Sequence, residues 1–96
     1  MKYSRKDTEI TVIITNNNEN DKFCYNPDEF YLERFKNGKW KALPIQDSYT
    51  LLIAACVLPD QTINAKIEMS PRYKVPLKKG KYRISIEELS TEFTVK

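Results

Sequence analysis

The sequence predicts an all-β domain, a sandwich or a barrel of about seven short antiparallel strands. Short segments with alternating apolar and polar residues recur along the chain, turn-forming residues separate them, and no apolar stripe of helical spacing extends beyond two turns. A chain of 96 residues with 41% hydrophobic side chains suffices for one core but not for two. We therefore expect a single domain over residues 1–96.

The first predicted strand runs from about residue 8 to residue 15. Ile10, Val12 and Ile14 occupy every second position there, which is the period of a strand with one buried face. Residues 16–21 are all Asn, Asp or Glu. Side chains of Asn and Asp compete for backbone hydrogen bonds, so this segment is predicted to be a loop.

A hairpin is predicted from two runs of aromatic and branched residues, 30–35 and 40–43. Asn37 and Gly38 lie between them, and Asn-Gly supplies the positive φ angles that a type I′ turn requires. Pro44 ends the second strand because proline has no N–H to donate to a ladder.

Residues 51–58 form an uninterrupted apolar run, which we interpret as a strand because Pro59 stops it and an alternating segment, 63–69, follows at once. Apolar side chains on both faces leave two readings open. The strand is central and covered by loops, or its outer face, with Leu52, docks on a neighbouring domain or a second copy.

Two further strands are predicted near the end of the chain, with buried faces formed by Tyr82, Ile84 and Ile86 in one and by Phe93 and Val95 in the other. Residues 88–90 are expected to join them. Glu87 and Glu88 are adjacent, so a strand would point them to opposite faces, which excludes a carboxylate pair for acid-base catalysis.

Composition excludes most catalytic classes. The chain has no histidine, which removes the commonest general base and the commonest zinc ligand. The acidic residues Asp21, Asp28, Glu29 and Glu33 lack the spacing of a calcium loop and are expected to be solvated. We therefore expect no enzymatic activity, no metal and no cofactor.

The formal net charge of +3 is small, and acidic residues are scattered among the basic ones, which argues against nucleic acid as a partner. No apolar stretch is long enough for a membrane span, and the first residues lack the apolar core of a signal peptide. The two cysteines, Cys24 and Cys56, form either one disulfide in an exported protein or two buried thiols in a reducing compartment.

One local concentration of basic residues stands out, and the interpretation that we favour is a charged, solvated loop. It consists of Arg72, Lys74, Lys78, Lys79, Lys81 and Arg83, with Tyr73 among them. A polyanion would be attracted to the same residues.

The segment Leu77-Lys78-Lys79-Gly80-Lys81-Tyr82-Arg83 resembles the tyrosine corner of immunoglobulin-like domains. Together with Thr15-Asn16-Asn17, Tyr31-Leu32-Glu33 and Asn37-Gly38-Lys39-Trp40, it makes the chain similar to a bacterial immunoglobulin-like domain family. The resemblance implies an immunoglobulin-like Greek-key β-sandwich of about seven antiparallel strands. It assigns structural roles to Gly80 and Tyr82, and to Trp40 as a large, partly buried core ring.

The resemblance also implies a non-catalytic module of a larger extracytoplasmic or surface protein, of the kind found in Gram-positive gut bacteria. Such a module acts as a spacer or contacts a protein partner or a neighbouring domain. The residues that we expect at a contact are Tyr31, Phe35, Leu52, Lys78 and Lys79.

Two other functions stay open at this point. A carbohydrate-binding module would use exposed, coplanar rings at Tyr31, Phe35 and Trp40. A small free-standing binder or inhibitor of the phage type would use the basic loop, and the cytoplasm would be its compartment if the chain is a complete gene product.

Overall fold

Strands and loops make up the described part of the chain, which comprises residues 2–3, 9–48 and 53–96 of a computed structural model. No helix occurs among these residues. The strands, in chain order, are β1 (Lys2–Tyr3), β2 (Glu9–Thr15), β3 (Phe23–Tyr25), β4 (Tyr31–Lys36), β5 (Lys39–Ala42), β6 (Ala55–Val57), β7 (Thr62–Glu68), β8 (Gly80–Ile86) and β9 (Leu89–Val95).

The strands form two larger sheets, which confirms the predicted all-β, immunoglobulin-like sandwich. One sheet has the order β1-β2-β7 and the other the order β5-β4-β8-β9, while β3 and β6 make a separate pair. Every pairing is antiparallel. The chain passes between the larger sheets after β2, after β5 and after β7, as in a Greek key.

One hydrophobic core joins the facing sides of both sheets. The alternation predicted for β2, β7, β8 and β9 is confirmed, because their apolar residues are buried at every second position. Polar neighbours in β2 and β7 point outward. The buried apolar residues are Ile10, Val12, Ile14, Tyr25, Phe30, Leu32, Val57, Ala65, Ile67, Met69, Tyr73, Tyr82, Ile84, Ile86, Phe93 and Val95.

The predicted hairpin and its turn are confirmed. Asn37 and Gly38 have φ angles of 54° and 77°, the two positive values of a type I′ turn, and Lys36 pairs with Lys39 across it. After Ala42 the second strand ends, as the following proline predicted.

The strand predicted over residues 51–58 is wrong in extent. Among the described residues of the run, 53–58, only Ala55–Val57 is a strand, and within the described part of the chain it pairs with β3 alone, at the edge of no larger sheet. Ile53 and Leu58 are exposed and Val57 is buried. Leu52, the predicted contact residue of this run, lies outside the described residues.

The connection near the end of the chain also differs from the prediction. Glu87 and Glu88 are not strand residues but form a two-residue turn, and Leu89 and Ser90 already belong to β9. Glu87 adopts a φ of 54°. This left-handed conformation is unusual for glutamate, which is why the residue type did not signal a turn.

The crossing from β7 to β8 ends in a tyrosine corner. The Tyr82 hydroxyl donates a hydrogen bond to the carbonyl oxygen of Lys78, and the Tyr82 ring stacks on Phe93 of the next strand, with ring centroids 5.5 Å apart. Gly80 lies against the side chain of Arg34, whose Nε would be only 3.0 Å from a β-carbon at that position. Tyr82 and Gly80 are thus held at the start of β8 by contacts with Lys78, Phe93 and Arg34.

Two side chains of the same crossing complete the edge of β4. After β5 diverges, Tyr73 Oη accepts the N–H of Leu32 at 3.0 Å, and Arg72 Nε donates to the carbonyl oxygen of Phe30 at 2.9 Å. Side chains of the loop thus replace the backbone partners that a longer β5 would supply.

A disulfide bond joins β3 to β6, which settles the alternative that the sequence left open. Cys24 and Cys56 are directly opposite each other in the antiparallel pair, and both residues are exposed. They are 32 residues apart in the sequence, so the bond closes a long loop in the unfolded chain.

The variant Tyr82→Phe is expected to lower the free energy of unfolding by about 1 kcal/mol, because it removes one hydrogen bond and keeps the stacked ring. Denaturant unfolding measures this. Tyr31→Phe is the matched control, since the Tyr31 hydroxyl has no hydrogen-bond partner among the described residues and the loss there should be near zero. Equal stability of Tyr82→Phe and the wild type would contradict the structural role of the hydroxyl.

Replacing both cysteines, Cys24→Ser with Cys56→Ser, is expected to destabilise the domain by about 2–4 kcal/mol through the larger entropy of the unfolded chain. Reduction of the wild-type protein should shift its unfolding midpoint to that of the variant, and a reductant should leave the variant unchanged. Coincident unfolding curves of the oxidised wild type and the variant would refute the expectation.

Candidate contact surfaces

The predicted contact residues lie on two separate surfaces. Tyr31 and Phe35 are on the outer face of the four-stranded sheet, with 54% and 39% of their surface exposed. Lys78 and Lys79 are exposed on the loop that precedes β8. The structure does not bring these pairs together into one site.

The outer face of the four-stranded sheet carries an aromatic pair covered by cations. Phe35 and Trp40 are cross-strand partners with ring centroids 5.2 Å apart and an interplanar angle of 62°. Arg83 lies 4.5 Å from the Trp40 centroid, and Lys81 Nζ lies 5.3 Å from the Phe35 centroid. Each ring therefore has a cation within the range of a cation–π interaction.

The same cations take part in ion pairs across the sheet. Nη2 of Arg83 lies 2.8 Å from a Glu33 carboxylate oxygen, and its Nε donates to that oxygen at 2.9 Å. Lys81 pairs with Glu92 at 3.3 Å. These contacts fix long side chains over the rings and give this face a mixed charge.

Trp40 occupies a different place from the one expected. It is half-buried, but it does not belong to the core, because its register with Phe35 places it on the outer face. Lys81 and Arg83 cover it there. The tilt of the two rings means that this face does not offer the coplanar platform on which a sugar ring would stack.

The basic residues that are close in the sequence are divided among three environments. Arg72 is buried, 5.0 Å from the centroid of Tyr31, and supports the edge of β4. Lys81 and Arg83 lie on the outer face of the four-stranded sheet. Lys74, Lys78 and Lys79 are exposed on the loop between β7 and β8.

Cys24 has no thiolate to act as a nucleophile, because its sulfur is in the disulfide. Burial raises the pKa of the adjacent Tyr25 phenol, which stays protonated and neutral at physiological pH. Among the described residues, no three His, Cys, Asp or Glu side chains gather in a way that would hold a metal ion. The same part of the chain contains no helix that would cross a membrane.

The sequence and the geometry together agree with one family. The profile of the bacterial Ig-like domain matches residues 1–95. The chain belongs to this family. No curated protein and no solved structure is significantly similar to it.

As a bacterial Ig-like domain, the chain has an architecture that occurs in exported and surface proteins and is generally non-catalytic. The match over residues 1–95 confirms the family resemblance that the tyrosine-corner segment and the other motifs indicated. An immunoglobulin-like fold hosts many unrelated roles, so the family identifies the architecture and leaves the role to the surfaces.

Sequence reasoning did not anticipate the ion pairs of the outer face or the role of Arg72. Glu33 lies 50 residues from Arg83, and only the antiparallel register of β4 with β8 makes them partners. A signal for their outward orientation was present, because Arg83 alternates with the apolar residues Tyr82 and Ile84.

Removal of Arg83 is expected to expose Trp40, the single tryptophan of the chain. The variant Arg83→Ala should shift tryptophan fluorescence to longer wavelengths and cost about 1 kcal/mol of stability, since both the ion pair and the cation–π contact are partly solvated. Lys66→Ala on the opposite sheet removes the same charge and should change neither quantity. An unshifted spectrum of Arg83→Ala would contradict the placement of Trp40.

Proposed function

We propose that this bacterial Ig-like domain is a non-catalytic module of an exported or surface protein, which acts as a spacer and as a contact for a protein partner or neighbouring domain. The observation that carries the proposal is the disulfide between Cys24 and Cys56. Disulfide bonds persist in oxidising compartments and are rare where thiols are kept reduced. An exposed disulfide on this fold therefore favours a location outside the cytoplasm.

A spacer role agrees with the shape and the construction of the domain. The molecule measures 41 × 28 × 24 Å, and one core joins its two larger sheets. Such a sandwich holds a neighbour at a fixed distance without any chemistry of its own.

A contact role is supported by the exposed apolar side chains Tyr31 and Phe35 on the outer sheet face. Aromatic side chains give large, rigid contact areas at low entropic cost. The ion pairs around them resemble the polar rim of an interface in which charges set the orientation of the partner.

Carbohydrate binding is less well supported by the same surface, because the Phe35 and Trp40 rings are inclined by 62° and have cations beside them. A nucleic-acid role is less well supported as well. The basic residues are dispersed over separate surfaces instead of forming one stripe.

The natural protein that contains this domain should be accessible to an antibody on intact, non-permeabilised cells. Alkylation of the denatured protein without a reductant should leave Cys24 and Cys56 unmodified, and alkylation after reduction should modify both. A known cytoplasmic protein serves as the control for cell integrity. Labelling only after permeabilisation, together with two free thiols, would refute the extracytoplasmic location.

A further inference from the structure

A groove of about 420 Å³ lies between the β4–β5 hairpin and the crossing loop that leads to β8. This volume is within the range of pockets that hold small ligands or single anchoring side chains. Its lining combines apolar and basic residues, among them Leu43, Leu77, Arg34, Lys74 and Lys78.

The floor and walls of the groove are apolar and held in place. The rings of Tyr73 and Tyr82 belong to the core and are almost fully buried, and each hydroxyl is fixed by a backbone group. Leu43 and Leu77 are half-buried against the same core. The groove is therefore formed before any ligand binds, which lowers the entropic cost of binding.

Three cations surround this apolar floor. Arg34 is oriented by a hydrogen bond from its Nη2 to the carbonyl oxygen of Lys79 at 2.8 Å. Lys74 and Lys78 are exposed at the rim. No acidic residue is among those that line the groove, and the ion pairs Lys81–Glu92 and Arg83–Glu33 lie on the other surface.

Positive charge without a carboxylate partner attracts an anion, and the apolar floor adds affinity for a hydrocarbon side chain. We propose that the groove binds an acidic segment of a protein partner, in which one aliphatic or aromatic side chain enters the groove and flanking carboxylates pair with Lys74 and Lys78. This inference rests on the proposed contact function, and it adds to the outer sheet face a second contact site with a partner of stated chemistry.

The lining favours a protein segment over other polyanions. Bases of a single-stranded nucleic acid stack on exposed aromatic faces, and both tyrosine rings here are buried in the floor. A phosphate or uronate polymer has charge but no hydrocarbon side chain to occupy the space between Leu43 and Leu77. An acidic peptide supplies both features.

The test uses the oxidised, folded domain and three defined peptides in an NMR titration of backbone amides. The probes are acetyl-Glu-Glu-Phe-Glu-Glu-amide, the same peptide with Ala for Phe, and the same peptide with Lys for Glu. The first should perturb amides around Lys74, Leu77 and Lys78. The second should bind roughly tenfold more weakly, because the buried phenyl ring is lost, and the third should not bind.

Variants locate the interaction. Lys74→Glu with Lys78→Glu should abolish binding of the acidic peptide and create binding of the basic one. Lys74→Ala with Lys78→Ala should weaken the acidic peptide roughly fivefold or more. The matched control, Lys39→Ala with Lys66→Ala, removes two exposed charges outside the groove and should leave the affinity unchanged.

Three outcomes would overturn the inference: no perturbation by the Phe peptide, perturbation that maps to another surface, or equal affinity for the Phe and Ala peptides. Tight binding of a heparin fragment or a short oligonucleotide, with no response to the Phe peptide, would assign the groove to a polyanion instead. None of these results changes the outcome of the cell-surface and thiol experiment, so failure of the groove and failure of the proposed location are distinguishable.

Discussion

The crossing from β7 to β8 is the constraint on which the rest of the structure depends. This loop carries the chain from one sheet of the sandwich to the other, and a loop of this length has many alternative paths. Hydrogen bonds from Arg72, Tyr73 and Tyr82 restrict it to one path. Each of these bonds ends on a backbone group, so they fix the position of the main chain itself.

Because the loop is held, the surfaces beside it are defined as well. Tyr82 lies in the strand that places Arg83 over Trp40, and Tyr73 forms part of the groove floor while it completes the edge of β4. The same few side chains therefore stabilise the fold and shape the surfaces on which a partner would bind. A substitution that loosens the loop would alter both properties together.

Much of the fold was predictable because local rules determine it. The Asn37-Gly38 turn, the alternation in β2 and the position of Tyr82 each depend on a short window of sequence. The extent of the strand in the run 51–58 was predicted wrongly, because no local rule determines it. Its apolar residues have no period, so the pattern contained no information on where a strand would begin or which side it would bury.

The surfaces were harder to predict, because they depend on register between distant segments. The resemblance implied a core ring at Trp40 in β5, whereas the pairing of Trp40 with Phe35 of β4 places the ring on the outer face. The groove combines Arg34 and Leu43 with residues of the later loop. No single window of the sequence contains it.

The way in which Arg72 and Tyr73 occupy the edge of β4 has a consequence for the behaviour of the domain among other chains. An open strand edge is a template for edge-to-edge pairing, which leads to strand exchange and aggregation. These two side chains occupy the N–H of Leu32 and the carbonyl group of Phe30, which a foreign strand would otherwise pair with. The loop therefore protects this part of the β4 edge from pairing with another chain.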